Sequence, residues 1–364
     1  MTRHVRILGG YLDRGAGSHV YHVELATRLA RRGHRVSVVC FGAEGLQHEH
    51  VDLHLAPPRP FERRRVLWRA APWLQARHID QCVRPMPLDR PDVVIGGEHL
   101  LLKPHHRRFP EVPWIYLPHA LTVDHFLDLT PLAPSARWVA RRVYGGAQRW
   151  ALSHASCTVR FTARACEVLE QRYGRQTRFV INPVGIDLPP ASTLSRKRLG
   201  FVRLLYVGRL VQGKGLHMLV RSLCAVRDAQ WTLTVVGDGP LRDDITQQVG
   251  RAGLAGRVTF EGFQRDPSPW YAGADLTLFP SRSESLGLVV LESMSHGTPV
   301  LALRPDGLTY FNVNDELIRD GETGLLASGE AGFTATLERV LCEPAPLTAM
   351  RTAARAFVAE HHSW

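Results

Sequence analysis

A short apolar run, Leu276-Thr277-Leu278-Phe279, is cut off by Pro280-Ser281 and followed by a small polar loop, Ser283-Glu284-Ser285-Leu286-Gly287. A run this short, bounded by turn residues, predicts a buried strand. From Leu288 to Met294 the apolar residues return at helical spacing, and Gly297-Thr298-Pro299 closes that helix. Strand, glycine loop, helix: this order leaves backbone N–H groups without partners at the helix start, which makes an anion site. Glu284 falls in the loop and Glu292 about two turns into the helix. A carboxylate only accepts hydrogen bonds, so the pair suits hydroxyls on two parts of one ligand.

The same alternation runs through the chain. Val5–Gly9 predicts a strand, Ser18–Arg32 a helix with Val20, Val23, Leu25 and Leu29 on its apolar side, and Val36–Cys40 a second strand. The glycine-rich loop between them ends in Gly15-Ala16-Gly17. A dinucleotide fold would put a third glycine where Val20 stands and an acidic residue after the second strand. Neither is present. Gly17 reads equally as a ligand-facing glycine and as a structural turn. Pro113–His119 predicts a later strand that ends in the histidine, so His119 occupies a C-terminal strand end, where open α/β sheets bind ligands. His99, after Glu98, holds a similar place on the preceding strand.

In the second half, Arg203–Gly208 predicts a strand and Leu216–Arg227 a helix. Between them Arg209 and Lys214 flank a tight turn closed by Gly213 and Gly215. A guanidinium fork and an ammonium so spaced can clamp a diphosphate from two sides. Repeated strand–helix alternation predicts doubly wound sheets, and 364 residues favour two domains. The divisions read as residues 1–188, a Pro/Ser/basic linker at 189–198, and residues 199–364.

The net charge of +11 favours anionic partners. Arg63, Arg64, Arg65, Trp68, Arg69, Trp73, Arg77 and Arg84 crowd one segment, read either as a membrane-surface helix or as a surface helix packed on the sheet. No recognition motif accompanies the charge, so nucleic acid is not expected. The six cysteines show no CxxC or zinc spacing, and neither a leader nor a membrane-length apolar run stands out. A reduced, cytoplasmic protein is the expectation.

Glu284, seven residues and Glu292 with Gly287 between, together with the Gly208-Arg209-Leu210…Lys214-Gly215 turn, the Val236–Pro240 turn and the Asp320–Leu326 turn, resemble the retaining glycosyltransferases of family 4. That resemblance implies the GT-B fold, two Rossmann-like domains facing a central cleft. It implies transfer of a sugar from a nucleotide sugar, such as a UDP- or GDP-sugar, to an acceptor hydroxyl. Within it Glu284 contacts the donor sugar and Glu292 the ribose. Arg209, Lys214 and the amides of Gly287, Leu288 and Val289 hold the diphosphate. Gly17 faces the phosphates and acceptor, and His119 lines the cleft near the reacting sugar; His119 and Glu284 are the candidate catalytic residues. No metal site stands out, so neither a metal nor another cofactor is expected. The acceptor is expected in envelope polysaccharide, lipopolysaccharide or glycolipid synthesis, with possible attachment to the inner membrane face. Two rivals stay open: a non-catalytic nucleotide-sugar binder and a dinucleotide oxidoreductase. The sequence departs from the family pattern in a longer link at residues 301–315 and in ending at Trp364 where a crossover helix would follow.

Overall fold

The computed structural model describes residues 1–9, 11–12, 17–43, 50–55, 80–81, 83–97, 99–119, 134–174, 178–190 and 200–364. The basic, tryptophan-bearing segment from Arg63 to Arg77 lies outside them, as does most of the linker, 191–198. Among the described residues no helix is long and apolar enough to cross a membrane. The chain forms two compact units, Met1–Asn182 and Pro183–Trp364.

The first unit is built on a parallel sheet of seven described strands: β1 (His4–Leu8), β3 (Arg35–Cys40), β5 (Val51–Leu55), β6 (Val93–Gly96), β7 (Trp114–Tyr116), β8 (Cys157–Arg160) and β9 (Phe179–Ile181). Their order is β5-β3-β1-β6-β7-β8-β9, and a small pair, β2 (Tyr11–Leu12) and β4 (Gly42–Ala43), stands apart. One apolar layer holds Val5, Ile7, Val36 and Val38 with Val23 and Ala26 of the helix Gly17–Arg31. Another holds Leu8, Val39, Val94 and Trp114 with Leu101 and Leu152 from the helices His99–Arg108 and Pro134–His154. Strands covered on both faces read as near-continuous apolar runs; β5 at the sheet edge, with the burial of its residues only partial, carries no such run and is not read from the sequence. Arg6 in β1, like Arg160 in β8, is a buried charge among these strands; the Arg6 guanidinium donates to Ser37 Oγ at 3.0 Å and to the Asp89 carbonyl at 2.6 Å.

The second unit carries β10 (Val202–Val207), β11 (Trp231–Val236), β12 (Val258–Gly262), β13 (Leu276–Phe279), β14 (Val300–Leu303) and β15 (Leu325–Ala327). The sheet order is β12-β11-β10-β13-β14-β15, with every pair parallel. The order reverses between β10 and β13. Crevices at such a switch point, outside the strands' C-terminal ends, are where doubly wound sheets bind ligands. Leu204, Tyr206, Trp231, Leu278 and Leu301 fill the core with Leu219 and Phe333. The last helix, Pro346–His361, packs on the helix Leu288–Ser295. Its end turns back on the unit's own first residues, where Ile186 N–H donates to the His362 carbonyl at 2.6 Å.

Candidate active site

Both loops flanking the switch point of the second unit are shaped by glycine. The helix Leu288–Ser295 starts after Gly287, whose φ of 63° is left-handed, and no side chain caps it. A Cβ on Gly287 would press into Leu317 Cδ1. Any other residue would be strained and crowded there, so the uncapped N–H groups depend on this glycine. Opposite, Gly215 has φ 73° and begins the helix Leu216–Ala225. A Cβ on Gly215 would collide with the Pro280 carbonyl oxygen, which shows how closely the two loops approach. A backbone bond from Arg282 N–H to the Gly213 carbonyl, 2.9 Å, joins them.

That approach brings Lys214 and Glu284 together. Lys214 Nζ donates to Glu284 Oε1, with both side chains largely buried. Ser281 Oγ donates to the same oxygen at 2.9 Å. Arg209 stays exposed at the mouth of its loop, and its carbonyl accepts from the Tyr206 hydroxyl at 3.2 Å. Burial first, and the nearby Glu284 charge second, push Tyr206 far above its ordinary range, so it stays a neutral donor. The neighbouring strand-end loops are laced to this one: Gly208 N–H reaches the Val236 carbonyl at 3.0 Å and Leu210 N–H the Asp238 carbonyl at 2.9 Å.

Glu292 sits within the helix, half-buried, and accepts from the Tyr271 hydroxyl at 2.8 Å. Burial raises the Glu292 carboxyl above its ordinary value; the Tyr271 bond offsets part of that, and the Asp266 charge adds to it. The helix is tied to the sheet by buried hydroxyls. Ser293 Oγ meets Thr277 Oγ1 at 2.7 Å and donates to the Thr298 carbonyl at 2.8 Å. Thr298 Oγ1 donates to the Tyr271 carbonyl at 2.7 Å.

The longer link resolves into a self-capped turn. Asp306 Oδ1 accepts from the N–H groups of Leu308, Thr309 and Tyr310 at 2.8–2.9 Å. Phe311 then pairs with Ser283: Glu284 N–H donates to the Phe311 carbonyl at 2.9 Å, and Phe311 N–H to the Arg282 carbonyl at 2.8 Å. The insertion therefore braces the loop that carries Glu284.

In the first unit, His119 lies just beyond β7. Its Nε2 is 3.3 Å from Nε2 of His22, so one ring donates to the other. The rings of Tyr21 and Phe161 each lie 6.0 Å from it and 5.0 Å from each other. Behind it, Gly97 packs so tightly that a Cβ would meet the Leu117 carbonyl and the His119 ring. Gly17 is the first residue of its helix. The side chain of His99 lies outside the described residues.

The arrangement in the second unit therefore sets a positive loop, a partly buried carboxylate and an uncapped helix start around one switch point. Residues 202–343 match the family described as Glycosyl transferases group 1, and residues 15–189 match Glycosyltransferase Family 4. The chain is 30% identical to the 2-deoxystreptamine glucosyltransferase of Streptomyces kanamyceticus, across 94% of this chain and 95% of that one. It belongs to the group 1, family 4 glycosyltransferases. The glycosyltransferase also has the fold of solved GT-B enzymes. Sucrose-phosphate synthase from Thermosynechococcus elongatus superposes with a TM-score of 0.82 at 20% identity, covering 100% of this chain and 95% of that one. Anabaena HepE in complex with UDP-glucose gives 0.74 at 22% identity, covering 99% and 96%. The family match sets aside the dinucleotide oxidoreductase.

Four residues at or beside these loops were not singled out from the sequence of the glycosyltransferase: Ser281, Tyr271, Phe311 and His22. Ser281 reads only as a strand stop, Tyr271 as part of the stretch leading into the strand at Leu276, and His22 as a residue of the first helix. Each acquires its partner through tertiary contact, so no local spacing announces it.

Proposed function

We propose that this glycosyltransferase transfers a sugar with retention from a nucleoside-diphosphate sugar, without a metal. The observation that carries the reading is the convergence of Lys214, Glu284 and the uncapped helix start after Gly287 at one switch point. Arg209, Lys214 and the amides of Gly287, Leu288 and Val289 hold the diphosphate. Glu284 accepts from donor-sugar hydroxyls and Glu292 from the ribose. As the nucleoside diphosphate departs, the sugar gains oxocarbenium character and negative charge grows on the phosphate oxygens. Fixed cations and helix-start dipoles stabilise that charge where it develops. Gly17 faces the donor phosphates and the acceptor, and His119 serves the reacting sugar. UDP is the first donor nucleotide to try, since Anabaena HepE was solved with UDP-glucose.

Incubation with a panel of UDP- and GDP-sugars, with products read by NMR, tests this. One donor of the panel should yield a glycoside with the donor's own anomeric configuration, at a rate EDTA does not change. An inverted anomer, a metal requirement, or binding without turnover contradicts the reading; the last would make the protein a non-catalytic binder.

For the acceptor, an envelope polysaccharide or lipid-linked glycan at the inner membrane face is our first reading. It rests on the +11 charge and the cluster Arg63, Arg64, Arg65, Trp68, Arg69 and Trp73. Each basic residue near an anionic leaflet contributes about 1 kcal/mol. The protein should therefore float with anionic but not neutral liposomes, less so as salt rises. Absence of flotation at low salt removes the membrane and favours a small soluble polyol. The full-length likeness to a 2-deoxystreptamine glucosyltransferase is the specific observation behind that second reading.

A further inference from the structure

We propose that Tyr271 is a positioning residue for ribose recognition, holding one oxygen of Glu292 so that the other accepts from the donor ribose. This rests on the reading of Glu292 given above. Tyr271 is buried, 1% exposed, in the short helix Ser268–Gly273, and its hydroxyl donates to Glu292 Oε2 at 2.8 Å. The residue is braced at both ends. Its carbonyl accepts from Thr298 Oγ1 at 2.7 Å, and Thr298 follows the helix that carries Glu292. Its ring lies 5.5 Å from that of His296, whose backbone N–H closes the same helix. Tyrosine and carboxylate are thus two sides of one rigid frame.

The chemistry explains why a hydroxyl is needed. A carboxylate removed from water must be hydrogen-bonded or it is costly. Tyr271 stays protonated, because burial and then the Glu292 charge raise its hydroxyl well above the ordinary value. It therefore remains a donor throughout the working pH range, and it fixes the torsion of the carboxylate as well as its charge. A carboxylate with one oxygen anchored this way has the other available to a hydroxyl donor. A ribose diol supplies O–H donors, whereas a deoxyribose lacks one. Phenylalanine fits the same space without the donor, and leaves Glu292 free to rotate.

The experiment titrates wild type, Tyr271→Phe and Glu292→Gln by calorimetry. The ligands are UDP or GDP, whichever wild type binds more tightly, and its 2′-deoxy and 3′-deoxy counterparts. Wild type should prefer the ribonucleotide over at least one deoxy form by about tenfold, the size of a hydrogen bond to a charged group. Tyr271→Phe should lower ribonucleotide affinity about fivefold, leave the deoxy forms unchanged, and so erase most of the preference. Glu292→Gln should do the same. An undiminished preference in Tyr271→Phe overturns the proposal while leaving Glu292 on the ribose. Equal weakening of all ligands overturns it too, since a merely structural tyrosine would give that result. No preference in wild type removes the ribose reading of Glu292 itself, and the proposal with it.

Discussion

Glu284→Gln should nearly abolish sugar transfer while leaving UDP binding almost intact. The residue is held by three hydrogen bonds: Oε1 accepts from Lys214 Nζ and from Ser281 Oγ, and the backbone N–H donates to the Phe311 carbonyl. Glutamine keeps the size and one acceptor oxygen, so the loop keeps its shape. It loses the charge, which strengthens every hydrogen bond a sugar hydroxyl makes to it. It also loses a negative group aimed at a centre that becomes positive in the transition state. Removing one such preorganised interaction lowers the rate by about 100- to 1000-fold. UDP carries no sugar beyond its phosphates, so its affinity should stay within about threefold, roughly 0.6 kcal/mol. Initial rates give kcat/KM, and calorimetry gives the affinity. Equal losses in both would make Glu284 a structural brace for Lys214 and nothing more.

The elements around Glu284 were legible because their signals are local. Leu276–Phe279 is bounded by Pro280 and appears as β13 with the same limits. The helix expected over Leu288–Met294 runs to Ser295, one residue further. Apolar runs closed by glycine or proline, and helical spacing closed by Gly297, act within a few residues of chain. Strand alternation likewise implied doubly wound sheets, and the resemblance carried by Glu284, Glu292, Arg209 and Lys214 led to the family.

What the sequence hid is pairing at a distance. Arg209 and Lys214 read as two arms of one clamp. The structure adds a partner that no spacing announces: Lys214 donates to Glu284, 70 residues away, while Arg209 is exposed. Tyr271 reaches Glu292 across 21 residues, and His22 reaches His119 across 97. None of these separations leaves a periodic trace, because each is set by how loops and helices meet around a sheet in the folded chain. The link at 301–315 read as a departure from the family pattern. Its outcome depends on Phe311 finding an open backbone edge at Ser283, which no single-segment pattern encodes.

Lys214→Ala should weaken UDP binding by about 10- to 150-fold, the value of one charge-assisted hydrogen bond of 1.5–3 kcal/mol. The effect has two sources. The diphosphate loses an ammonium, and Glu284, only 15% exposed, loses the cation that neutralises it beside the phosphates. Unpaired charge in a partly buried site is costlier than the contact it once made. The double variant Lys214→Ala/Glu284→Gln should therefore regain part of the lost affinity, a coupling expected only for residues in direct contact. Calorimetric titration of UDP into wild type, each single variant and the double variant measures all of this in one cycle. Our account predicts a large loss for Lys214→Ala, little for Glu284→Gln, and partial recovery in the double variant. Unchanged UDP affinity in Lys214→Ala would contradict it, and would move the diphosphate away from the switch point between β10 and β13.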